Sequence, residues 1–495
     1  MSALTVDTVF TALGKNATAA PRKPAIYWGR DVIRYVELQA QVNRFAAHLQ
    51  VDSKVQRGDR VGILMKNCPE FVFTLYAVLG SGAVAVPINT FLKTPEIQYI
   101  ASDCQLKCLV IGPDFIDVTR SLTGIPRVLV DELAAPAPSA PAWVDVGLQD
   151  LAVIIYTSGT TGKPKGAMLT HGNFATNVRS CIKALEETAA DRITLMLPMF
   201  HSFMLTVCIF TPLSMGAGIV LIKSVQPFKL ALREIIRHRA TIFVGIPQIF
   251  QALAQAKVPF WVHWLLKLRM AVSGAAPLPR ETLDVFQRKF RFPLLEGYGL
   301  SEASPVVSFN PIRGVRKAGS VGLTLPDVEV KIFDDNDQEL PVGQVGEIVV
   351  RGPNVMQGYY NQPAESKAAL RDGWLHTGDM GKKDDDGYIY IVDRRKEMYL
   401  VRGMNVYPRE IEEVLYQFPG VAEAAVVAKV DEKRGETSVA FVTPVAGQTL
   451  QPPQILKFCR ERLADYKLPR EVRVLEALPH TATGKVAKLE LKKLV

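Results

Sequence analysis

Short apolar runs alternate with longer stretches of helical periodicity through most of the chain. Examples are RVGILM before PEFVFTLYAVLGSG, AGIVLI before KLALREIIRH, and RMAVSG before PRETLDVFQRKF. Gly, Pro or Asp bounds most of the short runs, as expected for buried strands that lead into helices. The alternation predicts an α/β fold of layered, mostly parallel sheets with helices between them.

The pattern changes twice toward the C-terminus. Between Ala318 and Arg351 short alternating segments are joined by turn residues, which predicts a small β subdomain. After Asp393 the chain has its own strand patterns, such as AEAAVVAKV, and its own helical patterns, such as PREIEEVLYQF. We therefore predict a large N-terminal domain over residues 1–393 and a smaller α+β domain over residues 394–495.

Length and charge narrow the class of protein. The 495 residues exceed what one hydrophobic core usually supports, and an apolar fraction of 48% is ample for two domains. The net charge of +9 suits polyanionic ligands or an anionic membrane surface, but the basic residues are spread along the chain. Without a block of Lys and Arg, nucleic-acid binding is not predicted.

Cysteine usage and the termini point to a cytoplasmic enzyme. The six cysteines are scattered and show no paired metal spacing, so reduced, buried thiols are expected. The N-terminus lacks a basic segment followed by an apolar core, so no secretory signal is predicted. No apolar run reaches the length of about 18 residues that spans a bilayer.

The segment YTSGTTGKPKGAMLTH, residues 156–171, has the composition of a phosphate-binding loop, with glycines, hydroxyls and lysines together. A Walker A loop is excluded, because Thr157 stands where its first glycine belongs and Pro164 follows the lysine. The loop is therefore a nucleotide loop of another kind. Its candidate ligand-binding residues are Thr157, Ser158, Gly159, Thr160, Thr161, Gly162 and Lys165.

This loop resembles the signature (T/S)SGTTGxPKG of the adenylate-forming superfamily, which includes acyl-CoA synthetases, aryl-CoA ligases, peptide-synthetase adenylation domains and beetle luciferases. Further motifs follow in the family's order over nearly the whole chain, which is most similar to bacterial long-chain fatty acid:CoA ligases. The resemblance implies an ATP-dependent acid:CoA ligase. An acyl-adenylate forms with release of pyrophosphate, and an acyl-CoA thioester then forms with release of AMP. ATP, Mg²⁺ and coenzyme A are the implied cofactors.

The segment LEGYGLSEASP, residues 295–305, resembles the family's adenine and metal motif. By this resemblance Tyr298 stacks on adenine and Ser301, where the family often has Thr, contacts the α-phosphate. Glu302 and Thr161 are the implied Mg²⁺ ligands, and a carboxylate suits this hard cation. The implied nucleotide-binding set also includes Glu296 and Gly297.

Two more segments complete the implied nucleotide site. VSGAAPLP resembles the strand end whose small residues, here Gly274, Ala275 and Ala276, flank the adenine. Asp379 in GWLHTGDMG and Arg394 in YIVDRRKEM stand where family members contact the ribose hydroxyls. A carboxylate that accepts hydrogen bonds from a diol fits that task.

The C-terminal segment LPHTATGKVAKLEL, residues 478–491, resembles the motif that carries the family's catalytic lysine, here Lys485. Its charge would offset the negative charge that develops during adenylation. The resemblance also implies that the C-terminal domain is mobile and turns about Lys396. Leu400 replaces a lysine that the family frequently has. The implied pantetheine path is lined by Arg402, Gly403 and Met404.

The segment PMFHSFML places His201 where the family has a residue at the border of the acyl and thiol tunnels. We expect His201 to gate the thioester step rather than to act as a base, while packing in the core is the alternative. The neighbouring stretches LTVCIFTPLSMGAG and TIFVGIPQIF lack an acidic residue that would meet a substrate amine. An amino acid is therefore a poor candidate substrate.

A medium- or long-chain fatty acid is the expected substrate, and an aryl acid is the nearest alternative. A carrier protein or an amine as acyl acceptor, and a luciferase-like oxygenase, also remain open. A catalytically silent binding protein would be expected to lose Lys485 or Glu302, and both are present. The basic, apolar stretch at residues 258–270 suits peripheral membrane contact or, alternatively, a helix packed on the sheet.

Overall fold

A computed structural model describes residues 7–157, 164–256, 262–401, 404–431, 435–480 and 486–495. Among these residues, no helix is long and apolar enough to cross a membrane. All six cysteines are free, and all except the partly buried Cys68 are buried, as expected for reduced thiols in the core.

The strands of the large domain match the short apolar runs of the sequence. They are β1 (Pro24–Trp28), β2 (Asp31–Arg34), β3 (Arg60–Leu64), β4 (Val84–Pro87), β5 (Leu106–Ile111), β6 (Arg127–Leu129), β7 (Leu151–Thr157), β8 (Lys165–Thr170), β9 (Arg192–Leu195), β10 (Gly218–Leu221), β11 (Ile242–Gly245), β12 (Met270–Ser273), β13 (Leu294–Gly299), β14 (Val306–Phe309), β15 (Leu323–Thr324), β16 (Glu329–Phe333), β17 (Gly346–Arg351), β18 (Gly358–Tyr359), β19 (Leu370–Arg371), β20 (Trp374–Lys383) and β21 (Ile389–Arg394).

The helices of this domain follow the strands closely along the chain. They are α1 (Val9–Ala19), α2 (Tyr35–Val51), α3 (Pro69–Gly80), α4 (Thr94–Asp103), α5 (Ile116–Thr119), α6 (Val130–Leu133), α7 (His171–Ala184), α8 (Thr211–Ser214), α9 (Phe228–Arg237), α10 (Pro247–Gln255), α11 (Val262–Leu265), α12 (Arg280–Lys289) and α13 (Pro363–Ala369). Single-turn 3₁₀ helices lie at Pro113–Phe115 and Ser301–Ala303, and a π-helix lies at Met204–Phe210.

Two large mixed sheets form the body of the large domain. One has the order β15-β14-β13-β12-β11-β9-β10-β1-β2, and its strands from β13 to β1 run parallel. The other has the order β18-β8-β7-β4-β3-β5-β6 and is parallel from β7 to β6. Eleven of the twelve residues of helix α3 are buried, all except Glu70 in the first turn, so the helix lies within the core. The predicted α/β class with mostly parallel sheets is confirmed.

The predicted small β subdomain is a third sheet. It has the order β16-β17-β20-β19, with β21 paired to β20, and all of its described pairs are antiparallel. Its Phe333, Val349 and Trp374 form a small apolar cluster of their own. Its strands β20 and β21 carry Asp379 and Arg394, two residues of the predicted nucleotide site.

The C-terminal domain has a separate sheet, in the order β23-β22-β25-β24 with β26 paired to β25. Apolar side chains pack on both faces of its strands, away from the core of the large domain. The predicted 393/394 boundary lies at the end of β21, and its position stays a prediction. The elements are β22 (Tyr399–Val401), β23 (Met404–Val406), α14 (Pro408–Tyr416), β24 (Val421–Asp431), β25 (Gly435–Pro444), α15 (Pro452–Arg460), a 3₁₀ turn (Asp465–Lys467), β26 (Glu471–Val474) and α16 (Lys488–Lys492).

The two domains meet where β21 ends and α14 begins. The Arg409 backbone N–H donates to Asp393 Oδ2 over 2.9 Å, and Arg409 Nη1 donates to the Ile391 carbonyl over 2.9 Å. Farther away, the side-chain amide of Gln251 donates to the Ala422 carbonyl. The first two contacts attach α14 to β21, the strand that carries Arg394, and the third attaches the C-terminal domain to α10.

Candidate nucleotide and acid site

The strands β7 and β8 form the stem of the predicted phosphate loop. They pair antiparallel with Thr157 opposite Lys165, and Thr157 Oγ1 lies 3.5 Å from the Lys165 carbonyl oxygen. Antiparallel strands can be joined by a short connection, and β7 and β8 pair as the two strands of a hairpin. The predicted ligands Ser158, Gly159, Thr160, Thr161 and Gly162 lie outside the described residues.

Helix α4 contacts both arms of this hairpin. The Tyr156 hydroxyl donates to Asp103 Oδ2 over 2.5 Å, and the Tyr99 hydroxyl donates to the Pro164 carbonyl over 3.4 Å. On the other side of β8, the short strand β18 pairs with Ala167 and Met168. The ends of the loop are therefore held from two directions.

Lys165 is the described cation of the loop. It is buried, its ammonium group pairs with the Glu365 carboxylate, and it lies 5.4 Å from the centre of the Tyr359 ring. An ammonium group over an aromatic face is held by the ring quadrupole. Lys165 is thus fixed by two residues that follow it by about two hundred positions in the chain.

The predicted metal and α-phosphate residues lie on the 3₁₀ turn after β13. Ser301 Oγ is 3.1 Å from Ser202 Oγ, which joins this turn to the segment that contains His201. Glu302 Oε1 accepts a hydrogen bond of 2.9 Å from the Tyr359 hydroxyl.

Among the described residues no cluster of three or more His, Cys, Asp or Glu is placed to hold a metal ion. Mg²⁺ usually binds through one or two carboxylates and the phosphates of its substrate. A single carboxylate fits that mode, and Glu302 is the candidate among the described residues. Its role as a metal ligand stays a prediction.

Strand β13 supports the predicted adenine motif. The Tyr298 hydroxyl donates to Asp379 Oδ2 over 2.6 Å, and burial raises the pKa of Tyr298. A side chain at Gly297 would lie 2.2 Å from the Phe309 ring, and one at Gly299 would lie 2.3 Å from the Pro305 carbonyl oxygen. The two glycines therefore let β14 approach closely. Stacking of Tyr298 on adenine stays a prediction.

Asp379 and Arg394 face each other across β20 and β21. They are opposite in register, and Arg394 Nε lies 3.2 Å from Asp379 Oδ1. Tyr298 and Arg394 therefore each meet one oxygen of the same carboxylate. The structure brings these three predicted residues together, and the ribose contact itself stays a prediction.

The turn after β12 holds Gly274, Ala275 and Ala276. Ala275 has a φ of +68°, which is unusual for a residue with a side chain. Glu296 Oε1 accepts a hydrogen bond of 3.0 Å from the Leu278 backbone, and so ties this turn to β13. Burial raises the pKa of Glu296 to about 7, while nearby Arg409 acts in the opposite direction.

His201 lies at the start of the turn that leads into the π-helix. Its Nδ1 accepts a hydrogen bond of 3.3 Å from the Phe203 backbone N–H, and its side chain is partly buried. The sequence pattern predicts a helix here but gives no sign of the wider π geometry, which often occurs at functional sites. Gating by His201 stays a prediction.

The hinge region is rich in opposite charges. Lys488 Nζ pairs with Glu397 at 2.9 Å and with Glu412 at 2.8 Å. Burial raises the pKa of Asp393 to about 6, and the charge of Lys488 opposes that rise. Burial also lowers the pKa of Lys396, the predicted hinge residue. The predicted Arg402, Gly403 and Lys485 lie outside the described residues.

Sequence reasoning missed four residues of this arrangement, namely Asp103, Tyr359, Glu365 and Asp393. The first three lie outside the motifs discussed above, and Asp393 lies within YIVDRRKEM but was given no role there. Their partners are distant in the chain, as with Tyr359 and Glu302, which are 57 positions apart. The pairing of β18 with β8 brings Tyr359 beside the end of the loop. The sequence around Tyr359 does not predict that pairing.

Comparison with known proteins agrees with this geometry. A family model described as AMP-binding enzyme matches residues 13–360, and one described as AMP-binding enzyme C-terminal domain matches residues 410–485. A feruloyl-CoA synthase from Amycolatopsis sp is 36% identical over 97% of both chains. An indoleacetate–CoA ligase from Aromatoleum aromaticum is 37% identical, over 98% of this chain and 97% of its own. A long-chain-fatty-acid–CoA ligase from Bacillus subtilis is 33% identical over 98% and 94%.

Two solved structures also match this chain over nearly its whole length. ATP-bound MatB from Rhodopseudomonas palustris superposes with a TM-score of 0.92 at 32% identity, over 99% of both chains. The o-succinylbenzoate CoA synthetase from Bacillus subtilis in complex with ATP and magnesium superposes with a TM-score of 0.87 at 31% identity, over 97% of this chain and 99% of its own.

Proposed function

The chain belongs to the AMP-binding enzyme family and is an acid–thiol ligase that uses ATP, Mg²⁺ and CoA, and from that premise we propose that it activates an aryl or arylalkyl carboxylic acid. The acid would first form an acyl-adenylate with release of pyrophosphate. The adenylate would then form an acyl-CoA thioester with release of AMP. The sequence alone favoured a fatty acid, and the observations below favour a ring.

The observation that carries the aryl proposal is the packing of an aromatic ring, that of Phe203, on a glycine just after the end of β12. A side chain at Gly274 would lie 2.9 Å from the Phe203 ring, and one at Gly245 would lie 3.1 Å from the Phe250 ring. Ligands of parallel sheets bind beyond the carboxyl ends of the strands, which is where these rings lie. Phe250 is fully buried and packs edge-on against two other phenylalanine rings in the core, so Phe203 is the ring that would border the acid. An aromatic neighbour there would favour a flat acid over a flexible chain.

The names of the relatives support the same substrate class. The feruloyl-CoA synthase and the indoleacetate–CoA ligase act, by name, on acids that carry rings, and they are 36% and 37% identical to this chain. The long-chain-fatty-acid–CoA ligase from Bacillus subtilis is 33% identical. Identity alone differs little, so the ring packing is the stronger support.

In the first half-reaction an oxygen of the substrate carboxylate attacks the α-phosphorus of ATP, and pyrophosphate leaves. We assign ribose binding to Asp379, oriented by Tyr298 and Arg394, and a contact with the phosphates to Lys165 and the hairpin loop. A magnesium ion held by Glu302 would neutralise phosphate charge. Lys485 would stabilise the charge that develops on the carboxylate and the α-phosphate. Ser301 would donate to the same phosphate.

In the second half-reaction the CoA sulfur attacks the acyl carbonyl carbon, and AMP leaves. We propose that residues 394–495 turn about Lys396 between the two half-reactions, which would place Arg402 and Gly403 along the thiol path. His201 would border that path, since Ser202 beside it contacts Ser301 at the phosphate end of the site. The small residues Gly274, Ala275 and Ala276 would flank the adenine.

A fatty acid is the second candidate, because of its named relative and an exposed apolar surface. Trp264 and Leu265 on α11 are 75% and 47% exposed, next to the basic residue Lys267. Such a surface suits contact with a membrane that supplies long-chain acids. The helix spans only Val262–Leu265 in the described part of the predicted 258–270 segment.

A panel of acids, scored by pyrophosphate release with ATP and Mg²⁺, tests the substrate class. Ferulate, indoleacetate and hexadecanoate represent the two classes, and each is run with and without CoA. We expect kcat/KM for the better aryl acid to exceed that for hexadecanoate at least tenfold, which corresponds to about 1.4 kcal/mol. The reverse order would establish the fatty-acid alternative, and pyrophosphate release without a CoA thioester would point to another acceptor.

A further inference from the structure

One tyrosine contacts both the loop cation and the predicted metal ligand. The face of the Tyr359 ring lies 5.4 Å from Lys165 Nζ, and the Tyr359 hydroxyl donates to Glu302 Oε1 over 2.9 Å. Lys165 belongs to β8 and Glu302 to the 3₁₀ turn after β13, so Tyr359 joins the two large sheets.

The backbone fixes where this tyrosine lies. Strand β18 pairs with β8, with Tyr359 opposite Ala167, and the Tyr359 N–H donates to Ser366 Oγ over 2.8 Å. The Met356 N–H donates to the Glu302 carbonyl over 2.8 Å. The segment before β18 therefore follows the backbone of the metal turn, and the ring is held before any ligand binds.

Building on the acid activation proposed above, we propose that Tyr359 is a positioning residue that fixes the Glu302 carboxylate and the Lys165 ammonium relative to each other. A carboxylate that accepts one hydrogen bond keeps lone pairs for a metal ion and loses rotational freedom. The ammonium group is held on the ring and by Glu365. The phosphates and their metal then meet groups that are already ordered, so less entropy is lost when they bind.

The test measures binding in the absence of acid and CoA, so an error in the proposed substrate class cannot affect it. Calorimetric titrations use α,β-methylene-ATP with and without Mg²⁺, and AMP without metal. In Tyr359→Phe the ring stays beneath Lys165 and only the hydroxyl is lost. We expect the gain in affinity that Mg²⁺ gives to fall roughly tenfold. We expect AMP binding to stay within about twofold of the parent enzyme.

The matched control is Tyr360→Phe, which removes a hydroxyl from the next residue and should leave both titrations unchanged. A second comparison uses Glu302→Gln alone and with Tyr359→Phe. If the hydroxyl acts through Glu302, Tyr359→Phe should have little further effect in the Glu302→Gln background. An undiminished Mg²⁺ effect in Tyr359→Phe, an equal loss of AMP binding, or additive losses in the double variant would each overturn the proposal.

Tyr359→Leu tests the second part of the proposal, that the ring positions Lys165, because it removes the ring as well as the hydroxyl. We expect α,β-methylene-ATP to bind roughly three- to fivefold more weakly than to Tyr359→Phe even without Mg²⁺, because Lys165 loses the ring that orders it. Equal affinities of the Phe and Leu variants without metal would show that the ring does not position Lys165. Circular dichroism and thermal unfolding establish that both variants are folded.

Discussion

The nucleotide face of the large domain and the hinge of the C-terminal domain are held by different interactions. On the nucleotide face, hydroxyl groups donate to carboxylates, as Tyr298 does to Asp379 and Tyr359 does to Glu302. At the hinge, a buried ammonium group lies between carboxylates, as with Lys488 between Glu397 and Glu412. The first arrangement combines hydroxyl donors on strands with the Arg394–Asp379 ion pair, and the second consists of ion pairs around one lysine.

This difference indicates which part of the site is preformed. A hydroxyl donor keeps its carboxylate ionised and directed without neutralising it, so the acid stays available to a ribose or a metal. A lysine between two carboxylates instead binds elements of one domain to one another, and breaking such a buried pair is costly. The nucleotide face therefore holds ordered carboxylates at the predicted ligand site, and the Lys488 cluster stabilises the C-terminal domain, whose movement stays a prediction.

The largest expected effect tests the C-terminal side. Replacing Lys485 by Ala should lower the rate of adenylation roughly 100- to 1,000-fold, because the charge that forms in the transition state loses its partner. Thioester formation from a supplied acyl-adenylate should stay nearly normal. Pyrophosphate release and acyl-CoA formation measure the two half-reactions separately. Equal loss in both would contradict the assigned role.

The next largest expected effect tests the nucleotide face of the large domain. Asp379→Asn should raise the KM for ATP roughly tenfold to a hundredfold, since a charged acceptor for the ribose hydroxyls is lost. Steady-state kinetics at saturating acid measure the change. Asp372→Asn, in an exposed turn seven residues earlier in the chain, is the matched control and should behave like the parent enzyme. A KM that stays the same would remove Asp379 from the ribose site.

The hinge cluster is tested through stability. Lys488→Met leaves Glu397 and Glu412 without their shared cation and should lower the free energy of unfolding of the C-terminal domain by about 3 kcal/mol. Urea unfolding measures this change. Lys493→Met removes an exposed partner of Glu490 and should cost less than about 0.5 kcal/mol. Equal effects of the two substitutions would show that the hinge charges are only surface pairs.

The smallest expected effect concerns Glu187 in the large domain, whose carboxyl group has no ion pair among the described residues. Both oxygens of Glu187 are buried without a hydrogen-bond partner among the described residues, and burial raises the pKa of Glu187 to about 8. The folded protein therefore keeps a proton that the unfolded chain loses above about pH 4.5, so stability falls as the pH rises from there to about 8.

Glu187→Gln removes this dependence and should gain about 2 kcal/mol relative to the parent protein at pH 8, and almost nothing at pH 4. Urea unfolding at several pH values measures the difference. Glu186→Gln is the neighbouring control, because the Glu186 side chain is 41% exposed and pairs with Arg313. A gap between parent and Glu187→Gln that is constant with pH would show that Glu187 is ionised in the folded protein.

The sequence predicted the layered fold well because its strands are short, apolar and bounded by turn residues. The runs that became β3, β10 and β12 are examples, and so is the helix pattern that became α12. Direction was harder to predict, since β8 returns antiparallel beside β7 and the strand pattern is the same in either direction. The C-terminal sheet followed from its own alternating runs.

The site was predicted where the chemistry lies in a continuous motif. Tyr298, Asp379 and Arg394 were identified separately by resemblance, and the fold brings them into contact. The supporting residues could not be predicted, because Tyr359 acts through strand pairing and Asp393 through a helix that begins beyond the hinge. Tertiary contacts of this kind carry no local signature.

The glycines near the site differ in how freely they could change under laboratory evolution. Gly299 faces the backbone of β14, which cannot move aside, so selection for new substrates will find this position closed. Gly274 faces only the ring of Phe203, a side chain that a second substitution can shorten. Paired changes at Gly274 and Phe203 therefore offer a route by which the end of β12 can change shape under selection while the packing at Gly299 stays as it is.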